Sequence, residues 1–96
     1  MRYRLSIAVI FRWKDENGLR CLCKGFTRDI STHGVFVFSA EVPPVGTMVR
    51  LEFSFPPLED SAGGLRLRSV GEVVRVETNG QGTGFAALNE FTRFER

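Results

Sequence analysis

The chain has one histidine, two cysteines and only two lysines, and each scarcity removes a class of chemistry. His33 stands alone, with no cluster of carboxylates around it to make a metal or acid–base site. Cys21 and Cys23 are separated by a single residue, a spacing poor for a disulfide between them, and no second cysteine pair completes a zinc site. They read as two small buried apolar groups in a reducing compartment. No stretch approaches the roughly 18 apolar residues of a membrane helix, and the N-terminus lacks a signal-peptide pattern. A cytoplasmic protein without membrane insertion is expected. At 96 residues, 43% of them hydrophobic, the chain is too apolar for disorder but leaves no room for a separate catalytic domain. Residues 1–96 are expected to form a single domain.

What is abundant is arginine. Eleven of the 13 basic residues are Arg, the exceptions being Lys14 and Lys24. The net charge of +2 conceals an asymmetry: residues 1–28 carry +5 and the remainder carries −3. Arginine presents a planar fork suited to phosphates and purine edges. Bulk nucleic acid, however, calls for more net charge and for aromatics exposed on one face, and the negative remainder opposes it.

The hydrophobic pattern is β throughout. Residues 5–13 (LSIAVIFRW) are rich in β-branched and aromatic side chains, and the following turn closes on Asn17-Gly18. Residues 19–28 alternate, with Leu19, Cys21 and Cys23 on one side and Arg20, Lys24 and Arg28 on the other. Leu22 and Phe26 share that second side, so only partial exposure is expected of it. Further strands are predicted over residues 35–39, 48–55, 65–77 and 83–88, separated by Pro- and Gly-containing loops. Phe91 and Phe94, three apart, suit one or two helical turns over residues 89–96. The prediction is an all-β, small six-stranded antiparallel β-barrel at residues 5–88 with a short C-terminal helix, preceded by an arginine-containing arm at residues 1–4.

Asp29, Ser31 and His33 have the residue types of a nucleophilic triad but not its geometry. On an extended segment, alternate residues stand about 6.6 Å apart, too far for a relay of short hydrogen bonds. An enzyme is therefore not expected. Asp29-x-Ser31-x-x-Gly34 admits another use. A carboxylate can accept both N–H groups of a guanine's Watson–Crick edge, and Ser31 points the same way to donate or accept. Gly34 permits a positive φ or a close backbone approach to a ligand. The same residues also make an Asx or Ser/Thr turn closed by glycine, a common loop device. Arg2 and Arg4 at the start of the chain can bridge phosphate oxygens or stack on a base. Together these groups suit an anionic guanine nucleotide better than a general polyanion.

In order and spacing, the chain resembles the PilZ domain family. The matching segments are Arg2-Tyr3-x-Leu5, Asp29-Ile-Ser31-Thr-His-Gly34-Val-Phe-Val37, Gly71-Glu-Val-Val-Arg75-Val76 and Gly82-Thr-Gly84-Phe85. The resemblance implies a six-stranded antiparallel barrel that acts as a bacterial receptor for cyclic di-GMP, with no further cofactor. It carries the family's second signature directly onto Asp29, Ser31 and Gly34. Of the family's Arg-x-x-x-Arg, only the second arginine has a counterpart, Arg2 before Tyr3. The first then lies upstream of Met1 or is lost, and Arg4 stands as a substitute. Arg75 occupies a position where many members carry an aromatic that stacks on guanine. On this reading the ligand orders the N-terminal arm for control of a protein partner or of further domains in a longer chain. The alternative is a degenerate PilZ-like barrel that serves as a protein-interaction adaptor without nucleotide, with Phe55, Pro56 and Pro57 among its apolar loop groups.

Overall fold

The computed structural model describes residues 2–3, 6–56 and 64–95. Seven strands run in chain order: β1 (Arg2–Tyr3), β2 (Ala8–Lys14), β3 (Arg20–Ser31), β4 (Gly34–Phe38), β5 (Met48–Phe55), β6 (Leu65–Asn79) and β7 (Gly82–Glu95). Six of them close a ring, β2-β5-β6-β7-β4-β3 and back to β2, with every pairing antiparallel. The predicted six-stranded barrel is therefore present, and β1 is an addition to it. Ile30 pairs with Tyr3 on one edge of β3 and with Val35 on the other, so β1 extends the edge that β2 occupies further back.

Local chemistry explains the corners. Between β2 and β3, Asp15 Oδ1 accepts the backbone N–H groups of Asn17 and Leu19, both at 2.9 Å, and Gly18 takes φ 78°. This Asx-type turn is the one that Asn17-Gly18 announced. Between β6 and β7, Asn79 Oδ1 accepts the Gln81 N–H at 2.8 Å and Gly82 takes φ 124°.

Alternation then fills the barrel. Val9, Phe11 and Trp13 point inward from β2 and meet Val49, Leu51 and Phe53 of β5, Val35 and Val37 of β4, and Phe85 and Ala87 of β7. Phe11 is fully buried, lies stacked 5.7 Å from Trp13 and meets Phe85 edge-on at 4.9 Å. Burying a side chain of this size contributes about 1.5–3 kcal/mol. The two cysteines are half-buried against this core and free, not fully buried as their spacing suggested. Burial, together with a hydrogen bond to Glu41, pushes the Cys23 thiol above its ordinary pKa and so favours the protonated, unreactive form.

Two expectations need correction. The outer side of β3 is more open than predicted: Leu22 and Phe26 lie on it 67% and 59% exposed. More consequentially, the terminal helix expected over residues 89–96 is not found among the described residues. The backbone of residues 89–95 continues as β7, paired with β6. The reason is a bulge between Arg68 and Ser69, across which Phe94 stands opposite Leu67 and Phe91 opposite Ser69. Leu67 and Ser69 are alternate, buried positions of β6. One extra residue in β7 thus absorbs a three-residue spacing that looked helical.

Candidate functional site

The Asp29-to-Gly34 motif spans the end of β3, the two-residue turn at Thr32 and His33, and the start of β4. A second bulge, between Thr27 and Asp29, decides what faces outward. Thr27 pairs with Val37 and Ile30 with Val35, both partners being core residues, so Thr27 and Ile30 point inward although they are three apart. Arg28 and Asp29, consecutive in sequence, consequently share the outer face. Without the bulge they would face opposite sides.

Asp29 lies opposite Phe36, Phe36 opposite Ala86, and Ala86 opposite Arg75. One row across β3, β4, β7 and β6 therefore carries a carboxylate, an aromatic ring and a guanidinium on the outer face. Phe36 flanks two core valines, points away from the core, and is still only 2% exposed. Three features cover it. Its ring lies over Gly84, where an added Cβ would stand 2.5 Å from Phe36 Cε1. Phe38 meets it edge-on at 5.3 Å. Arg28 stacks on it, with Cζ 4.0 Å from the ring centroid. Arg75 approaches the same ring at 5.9 Å.

Each of these arginines is pinned by its own carboxylate. Arg28 Nε donates to Asp29 Oδ2 at 2.9 Å, and Arg75 Nε donates to Glu77 Oε2 at 2.6 Å. The Asp29 side chain is 13% exposed and that of Arg28 32%. The Arg75–Glu77 pair is more open, at 56% and 28%, and as a surface pair fixes geometry more than it adds stability.

The remaining predicted residues fall into three groups. Ser31 is turned on its own loop: its Oγ accepts the N–H groups of His33 and Gly34 at 3.3 and 3.1 Å and donates to the Gly34 carbonyl at 3.3 Å. That uses its donor and both lone pairs, so it shapes the turn, and contact with a ligand requires one of these bonds to open. Ser31→Ala is expected to cost about 1 kcal/mol, lowering Tm by about 4–8 °C in a thermal melt, whereas Ser31→Thr retains the hydroxyl and most of the stability. Gly34 does not take the positive φ foreseen as one option; its constraint is close approach, since an added Cβ would stand 2.9 Å from the Ala87 carbonyl of β7. Its neighbour there is the barrel itself.

Arg2 lies in β1, its Cα opposite that of Ser31, with Tyr3 opposite Ile30. The backbone of Arg2 and Tyr3 is thus in register with the motif strand. Arg4 and Pro57 lie outside the described residues. The sequence reading missed Arg28 and Phe36 as site residues. Arg28 was placed with the exposed basic side of its strand, and only its adjacency to Asp29 hinted otherwise.

The hydrogen bond that joins His33 to Ser31 is donated by the histidine's backbone N–H, at 3.3 Å, and so shapes the turn without involving the imidazole. No group of three or more potential metal ligands occurs among the described residues, and no described helix is long and apolar enough to cross a membrane. A broad groove of about 1170 Å³ lies elsewhere, between Arg12, Lys14, Arg20 and Arg50, and touches none of the motif residues.

The fold is a small closed antiparallel barrel that carries a carboxylate, arginines and an aromatic ring on its outer wall. The PilZ domain model matches residues 1–93, and the chain belongs to that family. The family is one of cyclic di-GMP-binding domains and is not known for enzymes. No curated protein and no solved structure gives a significant match.

Proposed function

We propose that this chain is a receptor domain for cyclic di-GMP. Asp29 reads a guanine edge, Ser31 and Gly34 hold the turn beside it, Arg2 and Arg4 grip the phosphates, and Arg75 stacks on a base. No other cofactor is required. The observation that carries this reading is the register of β1. It sets the arginine-bearing segment alongside Ser31 and Ile30, on the strand that also presents Asp29. Sequence separates these groups by almost thirty residues, and strand pairing brings them to one place. The signalling output is a change in how the N-terminal segment is held, presented to a protein partner or to further domains.

Calorimetric titration with cyclic di-GMP tests the proposal. Saturable exothermic binding is expected, and GMP at the same concentration should bind far more weakly because it lacks the second base and phosphate. Absence of heat with cyclic di-GMP would sink the reading.

One observation favours the adaptor alternative. Asp29 is ion-paired with Arg28 and the Ser31 hydroxyl is bonded to its own turn, so the motif satisfies its polar groups within the chain. In that case Asp29→Ala would keep all biological activity.

A further inference from the structure

Arg28 belongs to neither signature of the family, yet the bulge gives it a defined place in this chain. Its Nε is held by Asp29 and its Cζ stands 4.0 Å over the Phe36 ring centroid, so the guanidinium is fixed at two points. About a third of the side chain still meets solvent. A guanidinium has two faces, and one that lies on an aromatic ring can take a second planar π-system on the other. The ion pair with Asp29 does not preclude this. It engages Oδ2, whereas a carboxylate offers about four acceptor positions over two oxygens.

The geometry points to Arg28 as a ligand-binding residue: a pre-set guanidinium on which a purine base of an anionic nucleotide stacks, beside the carboxylate that accepts from that base's edge. Three observations converge on it. Arg28 and Asp29 share a face only because of the bulge. The ring beneath Arg28 is buried and fixed by Gly84 and Phe38, so the platform is rigid and little side-chain freedom is lost on binding. Arg75 comes to the same ring from β6, placing a second cation along the row. This inference rests on the cyclic di-GMP reading and assigns that site a residue no motif contains.

Titration of cyclic di-GMP into the wild-type chain, Arg28→Gln and Arg28→Lys tests it. Lysine keeps the charge, can still reach Asp29 and can still sit on Phe36, but it has no planar second face. Both variants are expected to bind about tenfold more weakly, equivalent to about 1.4 kcal/mol. A 2-aminopurine-substituted cyclic dinucleotide should be quenched by the wild type and much less by Arg28→Lys. Trp13 emission and thermal melting confirm that the variants are folded. Wild-type affinity in Arg28→Lys, with loss only in Arg28→Gln, would show that Arg28 merely positions Asp29 and would overturn the inference. Wild-type affinity in both overturns it outright. Absence of heat with the wild type defeats the receptor reading itself, and the role of Arg28 with it.

Discussion

Phe11→Ala is expected to destabilise the barrel by about 3–5 kcal/mol, the cost of deleting a large side chain from a site that cannot collapse around the void. Phe11 is fully buried at the middle of β2 and touches both Trp13 and Phe85, which come from different sides of the ring. Its neighbours are held in cross-strand register on β3 and β5 and have little freedom to move inward. A domain of this size has a total stability of about 5–15 kcal/mol, so the variant should be marginal or unfolded at physiological temperature. Urea unfolding followed by Trp13 emission measures it: the midpoint should fall steeply while the slope stays unchanged. Leu22→Ala is the matched control. It lies on the opposite face of the sheet, 67% exposed, and should change stability by no more than about 0.5 kcal/mol. Equal effects of the two substitutions would contradict the inward and outward assignment of β2 and β3.

Asp29→Ala is expected to weaken cyclic di-GMP binding by about a hundredfold or more while leaving the fold intact. A carboxylate that accepts two N–H groups of a guanine makes two charge-assisted hydrogen bonds, each contributing about 1.5–3 kcal/mol. Part of that is offset if the Arg28 contact loosens on binding, but a partly exposed ion pair contributes only about 0–1 kcal/mol. The net loss is therefore about 2–6 kcal/mol, a range centred above the roughly 2.8 kcal/mol that a hundredfold requires, since each 1.4 kcal/mol is tenfold. Folding should survive, since Arg28 keeps its place on Phe36 and reaches solvent. Titration against the wild type checks the affinity and a thermal melt checks the fold. Undiminished binding by a folded Asp29→Ala would remove Asp29 from the site.

The β class and the six barrel strands are legible in the sequence for a physical reason, although β1 and the C-terminal half of β7 are not. An antiparallel barrel has one wet and one dry wall, so each strand must alternate, and alternation is visible one strand at a time. In Met48–Phe55, for example, Val49, Leu51 and Phe53 face inside the closed ring. Bulges were not legible. A period of two cannot register an inserted residue, so the insertion in β7 made Phe91 and Phe94 look helical, and the one in β3 concealed that Arg28 and Asp29 share a face. The motif residues could be named from type and spacing alone. Phe36 could not, because an outward phenylalanine that is nevertheless buried depends on Gly84 and Arg28, one of which lies far along the chain.

The row of residues across four strands also has a history within each folding event. Arg28, Asp29 and Phe36 belong to one hairpin, β3–β4, joined by a two-residue turn, so they can find one another early and at little loop-closure cost. Arg75 arrives only when β7, carrying β6 beside it, docks on β4 and shuts the ring. Non-local closure of this kind is the slow part of folding for such topologies. A chain opening from the β4–β7 seam would keep its carboxylate, its first arginine and its ring together while losing the second arginine. The two cations facing Phe36 thus differ in persistence: one is a property of a hairpin, the other of the finished barrel.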